Sequence, residues 1–276
     1  MRVLPKPTIT PIRAYVSCYS SFQNVSRQNQ FRSICSFVNS KSMQYDTDAT
    51  NSILYSYSIH SNVHGSISKN DMEILYKQNM VKNKRGTKVY NKLISLAPLS
   101  RCPFCGIGSV STLDHYLPKS EFPTFAVLPY NLVASCKDCN IGKLNSYATT
   151  QGSQTLHPYY DNYTTDQWLF ARVIQSSGAL IEFYVNAPSH WNPIDKDRVQ
   201  SHFDNYDLSR RFSIEASNEL ADLRESFLLF NSSAIVIRQE LSKKATIFAR
   251  RHKNSWETAM YQALYQSQWY CNGGYR

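Results

Sequence analysis

Two pairs of cysteines, each with a Cys-x-x-Cys spacing, constrain the fold of this 276-residue chain more than any other feature of its sequence. Cys102 and Cys105 form the first pair, and Cys136 and Cys139 form the second. A turn of this spacing presents both sulfurs to one ion, and four thiolates complete the tetrahedral shell of a structural zinc site. The sequence therefore predicts that residues 102–139 fold around zinc, and the alternative is four free thiols.

The segment between the pairs carries polar residues that a structural zinc site does not need. Residues 110–113 indicate a short strand that ends at Asp114 and His115. The apolar run 125–128 predicts a second strand, closed by Pro129. A polar dipeptide at the end of a short strand, between two cysteine pairs, is a candidate for chemistry rather than for folding alone.

A helix is predicted to begin near Ser135 and to run through the second cysteine pair. Its positions spaced i, i+3, i+4 and i+7, which share one broad face, are Cys136, Cys139, Asn140 and Lys143. One side of that face can hold zinc while Asn140 and Lys143 face Asp114 and His115.

The order of these elements, Asp-His, then Asn-Leu, then Cys-x-x-Cys-Asn-x-x-Lys, resembles the HNH endonuclease family. The site of that family is a two-stranded hairpin and a helix, the ββα-metal fold. The resemblance covers only this central stretch. It implies His115 as the general base, Asp114 and Asn140 as ligands of one catalytic divalent cation, and Asn131 as the residue that fixes the loop and orients His115.

These roles also have chemical reasons. Imidazole titrates near neutral pH, and hard oxygen donors suit Mg²⁺ or Mn²⁺. The family name expects histidine where this chain has Asn140, but an amide still offers a carbonyl oxygen. Two residues keep simpler alternatives: Asn131 as a turn former after Pro129, and Lys143 as either a phosphate contact or a cap of the helix end.

Positive charge is concentrated ahead of this stretch. Residues 1–100 carry a net charge of +9 and residues 101–276 a net charge of +1. The densest basic cluster is Lys82, Lys84, Arg85 and Lys88. A basic flank suits capture of a polyanion, so this cluster is either a solvated surface or a contact with the DNA backbone.

The remaining sequence predicts helical flanks and one further hairpin. Residues 168–175 and 179–185 alternate apolar and polar around residues 176–178, which indicates a β-hairpin. Asn254 and Glu257 are spaced as a capping pair for a final helix. His157 is either an extra ligand of the site or a structural histidine. No long apolar run or leader appears, and three of the seven cysteines are scattered singly, so we expect a soluble, cytoplasmic protein without membrane association.

We therefore predict an α+β protein with a zinc-stabilised ββα-metal core. Its regions are a basic helical lead-in (1–100), the core (101–150), and a hairpin with helices (151–276), which could form one continuous domain. The expected activity is metal-dependent hydrolysis of DNA, and RNA stays open. Similarity to bacterial HNH proteins encoded beside ATPases suggests an anti-phage effector restrained by an ATPase or other regulatory subunit.

One such site cuts one strand, so a double-strand break needs a homodimer or two successive nicks. The alternatives to a nuclease are a noncatalytic zinc module that binds nucleic acid and a structural subunit of a defence or mobile-element complex.

Overall fold

The computed structural model describes residues 1–65, 67–143, 145–176 and 178–276. Its contacts divide the chain into two compact units, Arg2–Asp161 and Asn162–Arg276, the latter with Met1. Helices and two-stranded antiparallel sheets make up both units, so the chain belongs to the α+β class. In the part of the chain that the structure describes, no helix combines the length and the apolar character needed to cross a bilayer.

The first unit surrounds a short hairpin with helices. The helices are α1 (Pro11–Tyr19), α2 (Val25–Ser33), α3 (Cys35–Thr50), α4 (Lys69–Ile74), α5 (Lys84–Ile94) and α6 (Lys137–Lys143). The strands are β1 (Asn62–Val63), β2 (Ile67–Ser68), β3 (Thr112–His115) and β4 (Leu132–Ser135). A π-helical turn, Leu75–Met80, continues α4 toward α5.

Local capping explains how polar sequence becomes helical here. The side chain of Thr10 accepts a hydrogen bond from the Arg13 amide at the start of α1. Ser68 and Asp71 form a reciprocal capping box at the start of α4. Such caps satisfy amide groups that have no partner within the helix, so α1 and α2, the latter capped by Asn24, form in a stretch whose periodicity is weak.

The central hairpin pairs β3 with β4, and this corrects the predicted position of the second strand. Asp114 lies opposite Val133, and His115 lies opposite Leu132. The run 125–128, predicted as a strand, instead lies between two short 3-10 turns, Pro123–Phe125 and Pro129–Asn131. Proline has no amide hydrogen for a sheet, and its fixed φ favours such turns.

Apolar burial fixes the hairpin against the surrounding helices. Leu113 of β3 and Leu132 and Ala134 of β4 belong to one buried cluster with residues of α1, α4 and α5. All four β4 residues are buried, so the strand lacks the alternation of a half-exposed strand. The hairpin is therefore a rigid base for the polar groups at its end.

Among its described residues, the second unit contains the predicted hairpin and four α-helices. The strands are β5 (Leu169–Ser176) and β6 (Gly178–Val185), and the helices are α7 (Pro193–Asn205), α8 (Leu208–Leu229), α9 (Ala234–Arg251) and α10 (Trp256–Gln266). The predicted hairpin is confirmed, although Ser177 of its turn lies outside the described residues.

The predicted capping pair of the last helix is wrong. Ser255, not Asn254, caps α10 by accepting a hydrogen bond from the Thr258 amide. The Asn254 side chain accepts from the Trp168 and Leu169 amides instead. Sequence spacing could not separate two adjacent polar residues that are both capable of capping.

Candidate metal centre and polar hairpin

The four paired cysteines form one buried cluster. Their sulfur atoms all lie within 4.8 Å of one another, and the sulfurs of Cys105 and Cys136 are 3.9 Å apart. Zn–S bonds of about 2.3 Å at tetrahedral angles place two sulfurs roughly 3.8 Å apart. The cluster, composed of Cys102, Cys105, Cys136 and Cys139, therefore fits a single tetrahedral metal ion.

Two glycines and two amides position these sulfurs. Gly106 has a φ of +76°, a left-handed conformation that lets the chain turn after the first pair. Gly108 lies so close to the second pair that an added Cβ would be 2.6 Å from the Cβ of Cys136. The Gly108 amide donates to the sulfur of Cys105, and the Cys139 amide donates to the sulfur of Cys136.

Hydrogen bonds between the crowded thiols, from Cys102 first, lower the pKa of Cys136 to about 7.

Asp114 lies one residue before the end of β3 with a buried side chain. Its Oδ2 accepts no hydrogen bond from the described residues, and the Nζ of Lys143 lies 3.7 Å away. Burial raises the pKa of this carboxyl to about 6, against the opposing charge of Lys143. This carboxylate oxygen therefore lies buried beside the Lys143 ammonium, without a hydrogen bond from the described residues.

His115 is the last residue of β3, and its ring has a defined tautomer. Its Nε2 lies 2.9 Å from the carbonyl oxygen of Ala126. Because a carbonyl can only accept, Nε2 carries the hydrogen, and the neutral ring keeps its lone pair on Nδ1. Burial first, then the charge of Lys119, lowers the pKa of His115 to about 3, so the ring is neutral at physiological pH.

Asn131 ties together the loop that holds this histidine. Its Oδ1 accepts from the Leu117 amide at 2.7 Å, and its Nδ2 donates to the carbonyls of Leu117 and Phe125. The next carbonyl along the chain, that of Ala126, accepts from His115. Asn131 therefore makes no direct hydrogen bond to His115 and orients it through the loop.

Lys143 reaches back to the hairpin rather than capping its own helix. Its Nζ donates to the carbonyl of His115 at 2.8 Å and to that of Tyr116. Asn140 lies half-buried on α6, which packs against β3, and its side chain makes no hydrogen bond among the described residues. Cys136 precedes α6 and Cys139 lies within it, as the helical spacing predicts within two residues.

Two buried residues lie behind Asn131: Tyr45, which had no recognisable role in the sequence, and His157, for which the sequence left open an extra ligand or a structural histidine. The Tyr45 hydroxyl donates to Oδ1 of Asn131 at 3.0 Å and lies 3.4 Å from Nε2 of His157. The Tyr159 amide donates to Nδ1 of His157, so Nε2 carries the hydrogen and donates to Tyr45. His157 is therefore a buried support of the loop. Tyr45 lies 86 residues before Asn131, and nothing in its local sequence indicates the contact.

Lys119 and Tyr76 were also missed. The ring of Tyr76 meets the ring of His115 edge-on, with centroids 4.4 Å apart. The Nζ of Lys119 lies 5.6 Å from the centre of the Tyr76 ring, and its charge acts on both Asp114 and His115. A lysine four residues after His115 was the available signal for this cation.

The basic cluster lies at the start of α5. Lys82, Lys84, Arg85 and Lys88 are exposed. Arg85 donates to the carbonyl and hydroxyl of Ser20, immediately after α1. The structure thus brings Asp114, His115 and Lys143 together, whereas the basic cluster has no hydrogen bond to them among the described residues.

Comparison with known proteins identifies a relative along the full length of the chain. "Protein ea31" of Escherichia phage lambda is 30% identical over 295 aligned residues, which cover 99% of this chain and 100% of the relative. No family model and no solved structure matches. Because the similarity spans both chains from end to end, this chain belongs to the family of the phage lambda protein ea31.

Proposed function

We propose that this protein is a metal-dependent endonuclease of the HNH type that hydrolyses phosphodiester bonds of DNA. One observation carries the proposal: a neutral His115 with a fixed tautomer adjoins Asp114, whose Oδ2 is buried without a hydrogen bond among the described residues. Burying such polar groups costs free energy. Folding alone gives no reason to retain them in a buried position.

The cysteine cluster has the structural role in this proposal. Four sulfurs leave no coordination position for substrate, and zinc is the ion that a closed four-cysteine site suits best. Cys136 directly follows Ser135, which pairs with Thr112 at the start of β3, so zinc held there would clamp the end of the hairpin opposite His115.

Asp114 and Asn140 would hold one Mg²⁺ or Mn²⁺ ion. The unbonded Oδ2 of Asp114 supports this assignment, and carboxylate and amide oxygens are the donors such ions prefer. When bound, the ion supplies charge neutralisation at the scissile phosphate and at the leaving oxygen.

His115 would act as the general base. Nδ1 takes a proton from a water molecule, the water oxygen forms a bond to phosphorus, and the bond from phosphorus to the 3′ oxygen breaks. The products are 5′-phosphate and 3′-hydroxyl ends, with a proton returned to the leaving oxygen. The hydrogen bond to Ala126 would hold the ring and stabilise its charged form during transfer.

The partners predicted from the sequence stay predictions. One site cuts one strand, so the ratio of nicked to linear product would report on a homodimer. A regulatory subunit such as an ATPase, a role in anti-phage defence and activity on RNA rest on the family resemblance alone.

The test is conversion of supercoiled plasmid to nicked and linear forms with Mg²⁺, Mn²⁺ or EDTA. We expect metal-dependent cutting by the native protein and a loss of about 100- to 10,000-fold in His115→Ala, the usual contribution of a general base. His190→Ala, which removes an exposed histidine of the second unit, is the matched control and should cut normally. Zinc content and circular dichroism should not change in either variant.

Equal cutting by His115→Ala and native protein would show that the proposed base is wrong. DNA binding without cutting by the native protein in either metal would favour the noncatalytic zinc module.

A further inference from the structure

A groove of about 480 Å³ lies between α1 and α5 in the first unit, and its lining includes none of the cysteine cluster, Asp114 or His115. Four cations line it: Arg13, Arg85, Lys88 and Lys92. Thr8, Ser17 and Ser20 also line the groove, and no carboxylate among the described residues does so.

The carboxylates of residues 1–100 are engaged elsewhere. Residues 1–100 contain four acidic side chains. Asp46 pairs with Lys6, Asp48 accepts from Tyr57, Asp71 pairs with Arg27, and Glu73 pairs with Lys77. None of the four groove cations forms an ion pair within the described ranges, so the groove keeps a concentrated positive charge.

The spacing of the cations indicates an extended anion. Arg85, Lys88 and Lys92 follow one another at i, i+3 and i+7 on α5, and at 1.5 Å per residue the outer two are about 10 Å apart along the helix. Arg13 faces them from α1. A single phosphate is too small to contact all four, whereas successive phosphates of a polynucleotide strand are spaced to do so.

We propose that this groove binds the phosphodiester backbone of nucleic acid as a second contact outside the hairpin. The inference rests on the proposed function for its choice of polyanion. The groove residues differ from the basic cluster predicted from the sequence. Arg85 and Lys88 belong to both sets, whereas Lys82 and Lys84 do not line the groove. Arg13 and Lys92 line the groove but were not part of the cluster. Because α5 also packs against β3 and β4, one helix connects the groove to the hairpin.

The test compares two variants of the full-length protein, each lacking three positive charges. The groove variant is Arg13→Gln, Lys88→Gln and Lys92→Gln, which leaves Arg85 to hold Ser20. The matched control is Lys82→Gln, Lys84→Gln and Lys243→Gln, all exposed and outside the groove. Binding of fluorescein-labelled DNA duplex, single-stranded DNA and RNA is measured by anisotropy in EDTA-free buffer without Mg²⁺ or Mn²⁺, over a range of salt concentrations.

We expect the groove variant to lose at least about tenfold in affinity for the preferred nucleic acid, and the slope of log K against log salt to fall by about two to three. The control should change much less. A conservative variant, Arg13→Lys with Lys88→Arg and Lys92→Arg, should retain affinity. Equal losses in the groove and control variants, or equal displacement of DNA by polyglutamate, would overturn the proposal.

This assay separates the two proposals, because it needs no cutting. Binding that depends on the groove in a protein that does not cleave plasmid would support the groove and oppose the nuclease. Cleavage by the native protein, with unchanged binding by the groove variant, would support the nuclease and oppose the groove.

Discussion

The cysteine cluster and the Asp114–His115 end of the hairpin lie on the same short stretch of chain, yet their polar groups are arranged differently. The cluster brings four like ligands within 4.8 Å, a closed set for one ion. At the hairpin, one carboxylate oxygen and one ring nitrogen are held in place without hydrogen bonds from the described residues. A closed ligand set is what folding requires, whereas rigidly held open groups are what chemistry requires.

The strongest test of this contrast is Cys102→Ser. We expect loss of bound zinc and destabilisation by about 5 kcal/mol or more, because structural zinc contributes on the order of 10 kcal/mol to folding. Zinc content is measured by atomic emission and stability by thermal denaturation. Cys35→Ser, which changes a partly buried cysteine outside the cluster, should keep its zinc. Native stability in Cys102→Ser would mean that the cluster is not the structural element.

Asn131→Ala should destabilise the loop beside the hairpin without removing zinc from the cysteine cluster. The substitution leaves the Leu117 amide and two carbonyls without their partner, so we expect destabilisation by about 3 kcal/mol. Urea denaturation measures this loss, and zinc content should stay at the native value. Asn91→Ala, at an exposed position of α5, is the control. A loss below about 1 kcal/mol would show that the loop does not depend on Asn131.

Gly108→Ala tests how tightly the cluster is packed. A methyl group there would lie 2.6 Å from the Cβ of Cys136, and relief of that clash should cost about 1–3 kcal/mol and weaken zinc retention against a chelator. Gly142→Ala is an informative control, since an added Cβ at Gly142 meets nothing within 4 Å. That variant should be neutral or more stable by up to about 1 kcal/mol. Identical zinc release from both variants would show that close packing at Gly108 does not help to retain the metal.

Tyr45→Phe should change the free energy of unfolding least. It tests only the hydrogen bonds that Tyr45 makes behind Asn131. It removes the hydroxyl between Asn131 and His157, which should cost about 1–2 kcal/mol in the free energy of unfolding. Chemical denaturation provides the measurement, and Tyr184→Phe, at an exposed position of β6, should be neutral. If both tyrosine variants have the same free energy of unfolding, the hydrogen bonds of the Tyr45 hydroxyl do not contribute to stability.

Residue spacing predicted some of these features and missed others for identifiable reasons. The two cysteine pairs were found because metal ligation demands a local turn, which spacing records directly. The second strand was misplaced because the apolar run 125–128 was read as a buried strand, whereas Leu132–Ser135 directly precede the predicted helix start and were not recognised as a strand. Tyr45 was missed because a contact over 86 residues leaves no periodicity.

Residue order and spacing alone predicted the cysteine cluster, the polar dipeptide Asp114–His115, the placement of Lys143 on the helix face toward the hairpin, and the basic balance of the first 100 residues. These features follow from local spacing and composition. Packing of the chain was needed to establish which nitrogen of His115 carries hydrogen, that Asn131 makes its hydrogen bonds to the loop, and that Arg13 and Lys92 share a groove with Arg85 and Lys88. Those facts depend on burial and on contacts between distant segments, which exist only after the helices have packed around the hairpin.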